Sequence, residues 1–115
     1  MPLLIKLQEN IKNSLNGLYV CLSEIAFKLE IAYGIALLTL IIFLDFYYIH
    51  TLILVIEYFL LLAFELANTA IEKTCNRITR EYDILIRDAK DLGSAAVFLI
   101  LILNIGSLLY FIIFF

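Results

Sequence analysis

Charge is scarce in this chain: 17% of its 115 residues are Asp, Glu, Lys or Arg, while 64% are hydrophobic and the mean hydropathy is +1.04. Soluble domains carry about 25% charge and 45–50% apolar residues, so the composition excludes an ordinary aqueous fold and points to a bilayer. Basic runs are missing too. The net charge is −3, and Lys and Arg are interspersed with acids, which removes any general case for a nucleic-acid partner. Cysteine is limited to Cys21 and Cys75 and histidine to His50, without CxxC or metal-ligand spacing. Neither GxxxxGK[ST] nor GxGxxG occurs, so there is no Walker-type nucleotide loop. The start of the chain also lacks the basic, apolar and small-residue order of a signal peptide, and one domain accounts for the length.

The apolar content is arranged in segments. Leu4, Leu7, Ile11, Leu15, Leu18, Leu22, Ile25 and Leu29 recur every three or four residues, with Lys6, Glu9, Asn10, Lys12, Asn13 and Asn16 between them. This spacing predicts an amphipathic helix over 1–29 that lies in the membrane interface, with Pro2 in its first turn and Gly17 as a place for a bend. Ile31 to Leu44 is uncharged and reaches spanning length when extended into the aromatic Tyr47 and Tyr48, which predicts a first span over 31–48. After a short turn, a second span is predicted over 51–72, a cytoplasmic segment over 73–92, and a third span over 93–115. The third is uncharged and about 34 Å long as a helix. The expected fold is therefore an all-α membrane protein with a surface helix and three transmembrane helices.

Two acids interrupt the second span. Glu57 is expected to snorkel or find a polar partner instead of acting chemically, and Asn104 to hydrogen-bond a neighbouring helix. Glu65 differs because it begins a stripe: Glu65, Asn68, Glu72 and Asn76 fall within about 80° of a helical wheel. An intramembrane carboxylate costs a few kcal/mol to insert and marks a functional site by default. Lys73, Arg77, Arg80, Arg87 and Lys90 cluster at this end, whereas the Asp45–His50 turn has no Lys or Arg, so the amino end and the second loop are expected to face the cytoplasm. Glu24, Glu30, Glu72, Lys90 and Asp91 then share one level at the inner interface. Converging carboxylates suit Mg²⁺, which completes its shell with phosphate oxygens and water. Phosphoryl transfer needs positioning, a metal and charge compensation but no P-loop, and a buried Glu65 is placed to take a proton from a lipid alcohol.

The run Glu65-Leu-Ala-Asn-Thr-Ala-Ile-Glu72, followed by Lys90-Asp91-Leu-Gly-Ser-Ala-Ala-Val97, resembles the signature of the small bacterial integral-membrane diacylglycerol kinases, a family that includes undecaprenol kinases. Upstream, Glu24-Ile-Ala-Phe-Lys-Leu-Glu30 resembles the family's Glu-x-x-Phe-Arg/Lys-x-Glu element. The resemblance implies a homotrimer of the bacterial inner membrane that transfers the γ-phosphoryl group of MgATP to a lipid hydroxyl. It implies Glu65 as general base, Glu24 and Glu72 as metal ligands, and Glu30, Asn68 and Ser94 beside the lipid. Lys6, Glu24, Glu72, Glu81, Tyr82, Asp83, Lys90 and Asp91 would meet the nucleotide. Asp83 departs from the family's histidine, Asn76 from an acid and Asn13 from an aromatic, and the chain is one residue short between Gly17 and Glu24. The Gly93-Ser94-Ala-Ala run resembles the diacylglycerol branch more than the undecaprenol branch. A non-enzymatic adaptor with acids holding its helices together, or a channel subunit with a polar path, remains the alternative.

Overall fold

A computed structural model describes residues 2–115 as four helices: α1 (Pro2–Cys21), α2 (Ile25–Leu44), α3 (Tyr48–Ile78) and α4 (Ile84–Phe114). The last three are long and apolar enough to cross a membrane. Their outer surfaces are apolar as well. Phe43 is 81% exposed and Ile113 69%, a pattern that water would penalise and that lipid accommodates.

α3 and α4 form a long antiparallel hairpin, to which α2 and the end of α1 attach through α3. The buried positions of α3 are His50, Leu54, Glu57, Leu61, Glu65, Asn68, Thr69 and Cys75. From His50 to Asn68 they recur at three- and four-residue steps and so make one seam, and most of the eight are polar. α4 answers with Gly93, Asn104, Leu108 and Phe111. Leu37, Leu54, Leu108 and Phe111 form an apolar knot toward the Asp45 turn, where His50 stacks on Phe111 at 4.1 Å between ring centres.

The interior acid Glu57 is polar-partnered and does not snorkel. Its Oε2 accepts from Asn104 Nδ2 at 3.1 Å and its Oε1 from Ser107 Oγ at 2.9 Å. Asn104, fully buried, also donates to the Leu54 carbonyl at 3.1 Å and accepts from the Tyr33 hydroxyl of α2. Asn104 thus meets the expectation of a helix-to-helix bond, and the acid is held by two neutral donors with no cation.

Helix boundaries differ from the sequence reading in three places, the first being the span expected over 31–48: α2 ends at Leu44, and Tyr48 already opens α3. The helix expected over 1–29 breaks at Leu22–Glu24, and residues 25–29 open α2. Ser23 Oγ donates to the Val20 carbonyl at 2.7 Å and the Glu24 amide to the Cys21 carbonyl at 2.9 Å, closing a turn that competes with helix continuation. Hydrophobic periodicity runs straight across this corner and gives no sign of it. The segment expected over 73–92 is mostly helical: α3 continues through Ile78 and α4 starts at Ile84. Between them Asp83 caps α4, its Oδ1 accepting from the amides of Leu85 at 3.0 Å and Ile86 at 3.1 Å. At the other turn Asp45 closes α2 in the left-handed region with φ 50°, which a short polar residue tolerates.

Candidate active site

The polar end of the α3 seam gathers acids from three elements. Glu65 is 4% exposed and lies with its carboxyl group within hydrogen-bonding reach of Glu30 from α2. Glu72 and Glu24 both add their charge to the field at Glu65. Glu24 reaches this level because it stands at the α1–α2 corner with extended backbone and makes no capping bond of its own. Its carboxylate pairs instead with Lys73 at 3.2 Å. Four carboxyl groups thus face one region where, among the described residues, Lys73 is the one ion-paired base. Two carboxylates this close need a bridging positive charge, whether proton or cation.

Two oxygens in this region are buried with no donor, Glu30 Oε2 and Asn68 Oδ1. Asn68 commits its other side, Nδ2 donating to Glu72 Oε1 at 3.3 Å. Its Oδ1 points at Gly93 of α4, where an added Cβ would collide with it. Glycine at 93 is therefore what lets α4 close over the amide. One turn farther out, Lys90 Nζ donates to Asn76 Oδ1 at 2.7 Å, bringing a cation from α4 to the α3 stripe.

The wall facing α1 carries residues that motif reading passed over. Cys21 is 1% exposed, and its sulfur lies 3.7 Å from Thr69 Oγ1. Burial pushes its thiol pKa up, the Thr69 contact pulls it partly back, and the acids Glu65, Glu24 and Glu30 add to the rise. Thr69 lay inside the quoted motif, four residues from Glu65 and hence on its face, whereas Cys21 had no local signal. Outside them runs an apolar groove of about 500 Å³ between α1 and α3, lined by Gly17, Leu18, Leu66, Ala70 and Lys73 among others.

Other residues named from sequence lie apart from this cluster. Lys6 is exposed about 22 Å along α1 from Cys21. Glu81 and Tyr82 are exposed on the α3–α4 connection, where the Tyr82 hydroxyl accepts from Arg87 at 3.3 Å. Asp83 was expected to face the nucleotide, and its Oδ1 is engaged in capping α4. Asp91 is exposed and shares a shallow groove with Asp88 and Leu92, while Ser94 is exposed beside Gly93. Among the described residues no three acidic, His or Cys side chains form a ready-made metal cage.

The sequence was also compared with known proteins. Residues 12–114 match the family model described as prokaryotic diacylglycerol kinase. A protein named diacylglycerol kinase from Haemophilus influenzae (strain ATCC 51907 / DSM 11121 / KW20 / Rd) is 38% identical over 104 residues, covering 87% of this chain and 88% of its own. Another of that name, from Sinorhizobium sp, is 35% identical over 92 residues, covering 79% of this chain. The match spans 66% of that relative, just under two thirds of its length.

Proposed function

From the premise that this chain belongs to the prokaryotic diacylglycerol kinase family, a family of membrane kinases, we propose that it transfers the γ-phosphoryl group of ATP to the primary hydroxyl of 1,2-diacylglycerol, giving phosphatidic acid and ADP. The observation that carries this reading is the meeting of Glu24, Glu30, Glu65 and Glu72 at one end of the bundle, with Lys73 and Lys90 alongside.

Glu65 is the general base. Its buried carboxylate takes the proton of the lipid hydroxyl as that oxygen bonds to the γ-phosphorus. The bond from phosphorus to the β–γ bridging oxygen breaks, and its electron pair leaves with ADP. Burial excludes water that would compete as acceptor. Glu30 and Asn68 face the acceptor hydroxyl and fix its approach. The apolar groove between α1 and α3 suits an acyl chain, and Lys73 and Lys90 offset phosphate charge. Glu24 and Glu72 would hold Mg²⁺: both offer hard carboxylate oxygens to one region, and this ion needs only one or two protein carboxylates. When bound, the ion neutralises triphosphate charge.

The cluster opens toward the end rich in Lys and Arg, which under the positive-inside rule supports a site on the cytoplasmic face of the bacterial inner membrane. α1 is exposed along residues 2–19 with Leu4, Leu7, Ile11 and Leu15 uncovered, which suits a helix lying in the interface. A homotrimer would bring the distant Lys6, Glu81, Tyr82 and Asp91 of one chain toward the acids of another. The test is purified protein in mixed micelles with labelled ATP, offered diacylglycerol and undecaprenol side by side, with and without Mg²⁺. Magnesium-dependent label in phosphatidic acid is expected. Label in undecaprenyl phosphate alone would reassign the acceptor, and label in neither would overturn the reading.

A further inference from the structure

α2 brings Glu30 to Glu65, yet little holds α2 in place. Of its twenty residues only Phe27 and Leu37 are buried. In lipid no hydrophobic force draws helices together, so close packing and hydrogen bonds decide the height and rotation of a span. Besides the approach of Glu30 to Glu65, α2 has two such bonds to the hairpin. The Tyr58 hydroxyl of α3 donates to the Glu30 backbone carbonyl at 2.9 Å, and the Tyr33 hydroxyl, one turn from Glu30, donates to Asn104 Oδ1. Both anchors are built into their surroundings. Tyr58 packs over Gly34, where a Cβ would collide with its hydroxyl, so only a residue without a side chain allows the approach. Asn104 is fully buried and cannot turn, because both its amide hydrogens are taken by the Leu54 carbonyl and Glu57. Glu57 is held in turn by Ser107.

We propose that Glu57, Asn104, Tyr33 and Tyr58 are positioning residues that set Glu30 against Glu65 from the middle of the bilayer. This rests on the reading of Glu65 as the base, and it assigns a task to an interior acid about 12 Å of helix away from it. Glu57 fixes the Asn104 amide so that its oxygen faces α2; Tyr33 takes that oxygen and sets the height of α2; Tyr58 grips the backbone at Glu30 itself. None of the four touches the reacting groups.

The experiment is a set of double-mutant cycles on the purified protein in mixed micelles. Tyr33→Phe and Tyr58→Phe are expected to lower kcat by about ten- to a hundredfold and to move the pH profile of kcat, with KM for ATP unchanged. In a Glu30→Gln background the same exchanges are expected to cost about twofold or less, because the group they position is already gone. Glu57→Gln, which keeps an acceptor for Asn104 or Ser107, is expected to retain more kcat than Glu57→Leu. Equal losses with and without Glu30, or wild-type kcat and pH profile in both tyrosine variants, would overturn the proposal. If the wild-type protein phosphorylates no lipid, the functional reading fails, and the positional claim is read separately from nitroxide labels on Leu38→Cys and Phe59→Cys. A wider α2–α3 distance on Tyr58→Phe supports it; an unchanged distance overturns it.

Discussion

Glu65 and Asn68 occupy neighbouring turns, but substitutions there should fail in different ways. Glu65→Gln keeps shape and removes the proton acceptor, so turnover is expected to drop by about 10²–10⁴-fold while labelled ATP still binds. Near-normal turnover would exclude Glu65 as the base. Gly93→Ala is expected to act through Asn68: the new methyl meets Oδ1, α4 must shift, and a loss of about 1–3 kcal/mol should appear in denaturant unfolding, together with reduced activity. Cys21 offers a pH signature. Its thiol is raised above its ordinary 9.0 in the folded protein, so the unfolded chain gives up this proton first as pH rises. Its contribution to stability is therefore complete below about pH 9 and is lost as pH climbs through the folded value. Thermal unfolding of wild type and Cys21→Ser across that range should converge toward the alkaline end. The Glu65–Glu72 stripe was legible in sequence because helical spacing alone aligns its members. The Cys21 contact with Thr69 was not, since it joins residues 48 apart through the α1–α3 crossing.

At the level of elements, the three spans were readable because a bilayer demands long uncharged runs and tolerates few other solutions. The α1–α2 corner escaped notice because Leu22, Ile25 and Leu29 keep helical spacing through it, while the deciding bonds come from Ser23 and backbone amides. Glu57 shows the same limit. Its acid was conspicuous in the sequence, but its partners lie on α4, about fifty residues on. For Asp83 the structure supplies a role that a family pattern does not, and the two are separable. Asp83→Ala is expected to cost about 0.5–2 kcal/mol in thermal unfolding through loss of the cap, and Asp83→Asn close to nothing, since asparagine caps as well. A stable Asp83→Asn protein with a raised KM for ATP would restore this carboxylate to the nucleotide site.

The molecule as a whole measures 48 × 46 × 20 Å, a flat shape with one long helical hairpin and an arm, α1, whose first eighteen described residues are all exposed. A single chain with its acids partly open and its arm uncovered suits completion by neighbouring copies. Oligomers assembled from Glu24→Gln and Glu65→Gln chains, each inactive alone, are expected to regain activity when mixed; none at any mixing ratio would argue for self-contained sites. The channel alternative fares differently against the interior. Buried polar groups run along the interior from Glu65 through Glu57 and Asn104 to His50.

That seam is interrupted, however. Leu54 and Leu61 are 0% exposed and alternate with its polar levels, one on each side of Glu57. Two such apolar levels break the run of side-chain hydrogen bonds that protons would follow, so vesicles carrying this protein are expected to hold a proton gradient. Shrinking both to alanine should let an energised vesicle run down.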